Sequence, residues 1–181
     1  MEQAMATLSQ QLETLSREWL AQGLPSREQV VRSAQELIRR QKETGSQGLW
    51  SAKPSLLTAT LDDGIGQGIE IIHLFAEAMG MQIIPLGLVR PAEVIVTACH
   101  EHRPDYVGLT VLQLDSEEEL ARVGHHLPAG TCLIAGGPAF RHDPDMAHRC
   151  GVHYVAANVA CFIDYVLKRA VPQEDEEITA I

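Results

Sequence analysis

The residues best suited to chemistry fall in a few short stretches. The first is Leu61-Asp62-Asp63-Gly64-Ile65-Gly66-Gln67-Gly68, with two adjacent carboxylates and alternating glycines. Thr110-Val111-Leu112 and Gly136-Gly137 follow, and later Ala156-Ala157. Paired carboxylates can hold magnesium for phosphoryl transfer. That chemistry also needs an aspartate and a lysine at the ends of later strands, where Thr110 and Ala156-Ala157 stand instead. Alternating glycines ahead of a helix can cradle a dinucleotide. Here Gly68 precedes the position the third glycine would take, which is Ile69, and no Arg or Lys follows to hold phosphate. A P-loop is excluded because no Gly-Lys-Ser/Thr occurs, and no Gly-x-Ser-x-Gly elbow presents a serine nucleophile. Asp63 could act as a general base beside a ligand, but it has no evident partner acid. The plainest role for Asp62-Asp63 is a capped turn, since aspartate suits helix N-termini.

The histidines divide by position. His73 lies between Glu70 and Glu77 on the face of its helix expected to be wet. His100, His102, His125 and His126 sit at helix C-termini, where cations suit the dipole. His148, Cys150 and His153 lack zinc-ligand spacing. His142, just past Gly136-Gly137, is the one histidine expected to face a ligand.

Regular elements must carry these stretches to one place. Residues 2–22 read as a helix with Met5, Leu8, Leu12, Leu15 and Trp19 on one seam. Gly23 and Pro25 end it, and Ser26 with Gln29 opens a second helix to about Lys42. Val30, Ala34, Leu37 and Ile38 face inward there, and Gly45 to Pro54 form a linker. Two such helices cannot bury both seams alone. They must pack on the domain after the linker or join a second chain's helices in a homodimer. Residues 1–48 are thus a helical segment, 55–170 a separate α/β unit and 172–181 an acidic tail.

From residue 55 the pattern alternates. Strands are expected at 55–61, 82–86, 106–111, 131–135 and 152–155. Helices are expected at 66–79, from Pro91 to His102, from Ser116 with Glu119 as a capping box, at about 143–149, and at 158–169. The first of these helices should bury Ile65, Ile69, Ile72, Ala76 and Met79, with Gly80 as its left-handed cap. Five short apolar strands alternating with helices predict a doubly wound, flavodoxin-like parallel sheet of order 2-1-3-4-5. Its ligand crevice lies at the carboxyl ends of the strands, where all the chemistry-bearing stretches converge.

Composition narrows the partners. A net charge of -10 argues against nucleic acid or an anionic membrane as the main partner. No run of 18 apolar residues spans a membrane, and Met1-Glu2-Gln3 does not open a secretory signal. Four scattered cysteines read as reduced thiols of a cytoplasmic protein.

Taken in order, the strand ends resemble the cobalamin (corrinoid)-binding domains of methionine synthase, the mutases and methyltransferase corrinoid proteins. That family carries a D-x-H-x-x-G turn, an S-x-L after the third strand, paired glycines after the fourth and a Gly-Ala-Asp before the fifth. Gly66 matches the end of the first motif. Thr110-Val111-Leu112 is similar to the second, Gly136-Gly137 matches the third, and Cys150-Gly151-Val152-His153 stands in place of the last. Arg103 to Thr110 also resembles the family's third-strand region, and the resemblance covers residues 55–169, about two thirds of the chain. It implies a cobalamin cofactor contacted by Asp62, Asp63, Gly64, Ile65, Gly66, Thr110, Val111, Leu112, Gly136, Gly137, Ala156 and Ala157. A hydroxyl at Thr110 would satisfy a buried ligand group, and the glycines would let backbone approach the nucleotide tail.

One departure matters. Alignment on Gly66 puts Leu61 at the family's aspartate and Asp63 at its cobalt-binding histidine. Carboxylate is a poor substitute for imidazole there. The resemblance therefore implies a cobalt that stays base-on, takes water, or finds another ligand, with His142 the candidate. It further implies a corrinoid carrier for a partner methyltransferase or a cobalamin-dependent regulator, not catalytic alone. Trp19 and its seam would cover the ligand's upper face. The alternative is a cofactor-free domain of the same fold that acts through protein contacts.

Overall fold

Apolar runs too short for helices, each followed by an amphipathic stretch, become strands and crossovers. The computed structural model describes residues 2–170, with side chains from Thr7 onward. The elements are α1 (Glu2–Gln22), α2 (Arg27–Thr44), β1 (Ser55–Thr60), α3 (Gln67–Met79), β2 (Gln82–Gly87), α4 (Ala92–His102) and β3 (Tyr106–Thr110). After a single 3₁₀ turn come α5 (Glu117–His125), β4 (Cys132–Gly136), α6 (Ala139–His142), α7 (Met146–Arg149), β5 (Tyr154–Val155) and α8 (Val159–Ala170). All pairings are parallel and the order is β2-β1-β3-β4-β5, as the alternation predicts. The edge strand β2 tolerates Pro85, whose missing N–H would disrupt a central strand.

Helices cover both faces. Leu56, Tyr106, Cys132 and Ile134 share one hydrophobic core with α3 and α8, while Leu57, Val107, Leu133 and Ala135 share another with α4 and α5. The N-terminal helices belong to the first core. Leu8, Leu12 and Trp19 of α1 and Val30, Ala34, Leu37 and Ile38 of α2 are buried within it. The described residues of both seams therefore pack within one chain, Leu15 only in part. Helix α2 runs alongside α3 in the same direction. Arg27 bonds Gln67 O and Glu70 at one end, and Lys42 lies 3.7 Å from Glu77 at the other. Met5's side chain and the acidic tail lie outside the described residues.

Several local expectations hold. Ser26 and Gln29 form the capping box of α2, and Gly80 closes α3 in the left-handed region. Three do not. Ser116 gives α5 no side-chain cap; Glu119 instead accepts the Ala92 N–H at the start of α4, at 2.8 Å. Residues 143–149 are not one helix: Pro144 disfavours helical backbone at Asp143, which is extended, so α6 and α7 are separate short turns. Gly45 to Pro54 is no free linker, because Leu49 N–H bonds Met79 O at 2.8 Å and Gly48 packs on Gly80.

Candidate functional site

The turn after β1 is fastened from within. The Thr60 hydroxyl donates to the Asp63 carbonyl at 2.6 Å and accepts the Val89 N–H at 2.8 Å. Asp63 Oδ1 accepts the N–H groups of Ile65 and Gly66, at 2.8 and 3.0 Å. It thereby closes the turn that delivers Gly66, at φ 73°, to the start of α3. Asp62 points to the neighbouring loop. Its carboxylate accepts the N–H groups of Leu112 and Gln113, both at 2.8 Å, and the Ser116 hydroxyl at 2.7 Å. The two carboxylates therefore tie loops together.

A cavity of about 570 Å³ opens among the strand ends and runs down one sheet face between α3 and α8. Thr58, Gly108 and Ile134, adjacent across β1, β3 and β4, form its floor. Ile69 and Ile72 wall one side and Val159 and Phe162 the other, and Leu24, Pro25 and Val30 of the N-terminal segment close it. Of the residues expected at a ligand, Asp63, Thr110 and Leu112 line it, as do Gly136, Gly137, Ala156 and Ala157. The other five do not. Asp62 is held by the loop after β3, Val111 is fully buried on the opposite face and Gly64 is exposed. Ile65 and Gly66 line a smaller pocket of about 210 Å³.

The paired glycines, which line the cavity, are also required by the backbone around them. A Cβ on Gly137, at φ 126°, would lie 2.0 Å from Val111 O, and one on Gly136 would lie 2.7 Å from Ala156 O. They let three strand ends approach one another, so the cavity mouth is shaped by backbone contact. Along the carboxyl edge of the sheet, apolar side chains stand in solvent: Ile65, Leu88, Val89, Leu112 and Leu114 are all exposed, Ile65 to 73%, and Leu112 lines the cavity. Val89 holds φ 50°, an outlier for a β-branched residue, fixed by Thr60 through its N–H and through Arg90 N. An apolar rim with local backbone strain is common at binding sites.

The histidines are redistributed. His142 is exposed and outside the cavity; its neighbour Arg141 lines it. His153 accepts the Leu133 N–H through Nδ1 at 3.0 Å, a structural bond. Among the described residues no group of three or more metal-binding side chains exists. His73 is not on a wet face. It is half-buried, with Nε2 2.7 Å from the Thr58 hydroxyl, and burial lowers its pKa from the usual 6.5. Sequence reasoning missed it because Glu70 and Glu77 beside it are polar. Both face α2, and the ring between them reaches back to the sheet. Trp19 is likewise not at the ligand edge; it packs edge-on against Phe75, with ring centroids 5.7 Å apart. From the N-terminal segment, Leu24 and Pro25 line the cavity and Trp19 does not.

This fold is that of cobalamin-binding and corrinoid proteins. The chain superposes on a cobalamin-binding protein from Desulfitobacterium hafniense with a TM-score of 0.76 and 18% identity, covering 92% of this chain and 81% of the other. The monomethylamine corrinoid protein of Methanosarcina barkeri gives a TM-score of 0.58 and 18% identity, over 90% and 80% of the two chains. A methanol:cobalamin methyltransferase complex from the same organism gives 0.60 and 19%, over 91% and 66%. In sequence, 93 residues are 32% identical to the HTH-type transcriptional repressor CarH of Myxococcus xanthus, covering 49% of this chain and 29% of the repressor's length. No family model matches the chain.

Proposed function

We propose that this chain binds cobalamin at the carboxyl edge of the sheet and serves as a cobalamin-dependent regulator or as a corrinoid carrier for a partner methyltransferase. The observation that carries the reading is the cavity of about 570 Å³, which passes from an apolar rim to the middle of the sheet. Its volume suits an inserted nucleotide tail, and a macrocycle would rest on Ile65, Leu112 and their neighbours. Cobalamin, when bound, supplies a cobalt centre able to carry an alkyl group. The chain's residues would do the holding: Thr110 offers a hydroxyl at the cavity mouth, Ile69, Val159 and Phe162 exclude water, and the loops fastened by Asp62 keep the mouth in shape.

No imidazole stands at the turn, and Asp63 Oδ1 is engaged by two N–H groups. The turn therefore supports a cobalt without a nitrogen ligand from the protein. The depth of the cavity favours insertion of the tail over the base-on form, one of the states the sequence leaves open, and the absorption spectrum separates the two. Lack of a protein nitrogen ligand favours a holding or sensing role over methyl cycling, since such ligands tune cobalt reactivity. Four free cysteines, three of them buried, suit a reducing cytoplasm. No helix among the described residues is long and apolar enough to cross a membrane. With most described seam residues of α1 and α2 packed within the chain, a second copy or partner protein would meet the exposed rim.

The test is retention. Purified chain is mixed with hydroxocobalamin, methylcobalamin or adenosylcobalamin and then desalted. The reading expects a red protein with at least one form. A colourless protein with every form would favour a cofactor-free module working through protein contacts.

A further inference from the structure

The charged side chains that line the large cavity are Asp63, Arg27 and Arg141. Two of them are engaged within the chain. Asp63 Oδ1 accepts the N–H groups of Ile65 and Gly66. The Arg27 guanidinium donates to Gln67 O at 2.8 Å and to Glu70 at 2.9 Å. Among the described residues, the Arg141 guanidinium has no hydrogen-bond or ion-pair partner. The nearest carboxylate along the chain is already taken: Asp143 is extended, and Arg149 lies 2.6 Å from its Oδ2.

Acidic residues outnumber basic ones 24 to 14, so partners for a cation are plentiful. Among the described residues, the lysine and arginine side chains without a hydrogen-bond, ion-pair or ring partner are Lys53, Arg103 and Arg141. Lys53 precedes β1 and Arg103 precedes β3, at the amino edge of the sheet. Arg141 alone stands at the carboxyl edge, past the end of β4. The mouth of the cavity therefore carries charge unevenly. Asp63 lies past the end of β1 and Arg141 past the end of β4, with β3 between those strands. A guanidinium keeps its charge at any ordinary pH. An anion entering the cavity is repelled on the first side and attracted on the second.

We infer that Arg141 takes up the anionic group of the ligand and sets which way round the ligand lies. In a cobalamin that group is the phosphodiester of the nucleotide tail, whose two free oxygens match the fork of a guanidinium. The tail enters on the β4 side of the mouth, away from Asp63. The inference rests on the cobalamin reading and deepens it, assigning the cofactor's negative charge to one side chain.

Titrations of the full chain with each cobalamin form, and with the cobinamide of the same upper ligand, test it. Cobinamide has the same corrin and no phosphodiester. Arg141→Gln should weaken cobalamin binding about fivefold or more, the worth of one hydrogen bond to a charged group. It should leave cobinamide binding and the melting temperature unchanged, since the guanidinium touches nothing else. Raising the salt concentration about tenfold should weaken cobalamin binding by the native chain and not by the variant. Arg103→Gln, at the other edge, should behave as native. Equal cobalamin affinity and salt dependence in native and Arg141→Gln chains, or a loss that falls equally on cobinamide, would overturn the inference while leaving cobalamin binding intact. Failure of the native chain to bind any cobalamin would overturn the functional reading and this inference with it.

Discussion

The two faces of the same three strands contrast sharply. On the α4/α5 side β1 presents Leu57 and Ala59, β3 Val107 and Leu109, and β4 Leu133 and Ala135, all buried in a filled core. On the α3/α8 side the alternate residues begin just as large, with Leu56, Tyr106 and Cys132. Toward the carboxyl edge they change to Thr58, Gly108 and Ile134, then Thr60, Thr110 and Gly136. The cavity begins where side chains shrink or turn polar on one face alone. One face of the sheet provides stability, and the upper half of the other is kept open.

Substitutions that cross this division should separate the two roles. The largest effect is expected where the strand ends meet. Gly137→Val would drive a side chain into Val111 O and impose a backbone angle that suits glycine, so it should cost about 3 kcal/mol or more. A thermal melt would show it. Next comes an exchange between faces. Leu133→Ala, on the filled side, should cost about 2–5 kcal/mol and leave ligand affinity nearly unchanged. Gly108→Leu, on the open side, should leave the melting temperature level or higher and weaken cobalamin binding by roughly tenfold or more. A Cβ there meets Leu56 and Thr58 at 3.5 Å, ordinary contact distance. Parallel melts and titrations of the two variants would break the comparison if both lost the same property.

A smaller effect is expected at the clamp. Asp62→Ala removes the acceptor of two N–H groups and one hydroxyl, and should cost about 1–3 kcal/mol. Faster hydrogen exchange at Leu112 and Gln113 would locate the change. The smallest concerns pH. Burial holds the folded pKa of His73 below 6.5, so the unfolded chain takes up this proton first as the solution is acidified. Its contribution to stability is therefore complete above about pH 6.5 and declines below that value. Melts from pH 7.5 to 5 should show a fall that His73→Gln flattens.

Much of this was legible in the residues. The 2-1-3-4-5 sheet followed from five short apolar runs alternating with helical periodicity, and the convergence of Asp63, Thr110 and Gly136-Gly137 followed from that sheet. What stayed hidden depended on side-chain direction. Adjacent Asp62 and Asp63 looked equivalent, yet one turns to the next loop and the other to its own. Val111 and Leu112 fall on opposite sides of the strand end, so one is core and the other rim. Thr58 and Gly108 were readable as departures from an apolar alternation, but only once the register placed them side by side. His73 needed α2 in place before its flank of α3 could be understood as half-buried.

The central claim is that the open half of one sheet face receives a corrinoid. Absorption spectroscopy of the desalted chain, native and Gly108→Leu side by side after incubation with each cobalamin, tests it most directly. The account expects close to one equivalent retained by the native chain, with a spectrum lacking coordinated lower base, and little retained by the variant. A colourless native protein, or equal retention by both, would contradict it.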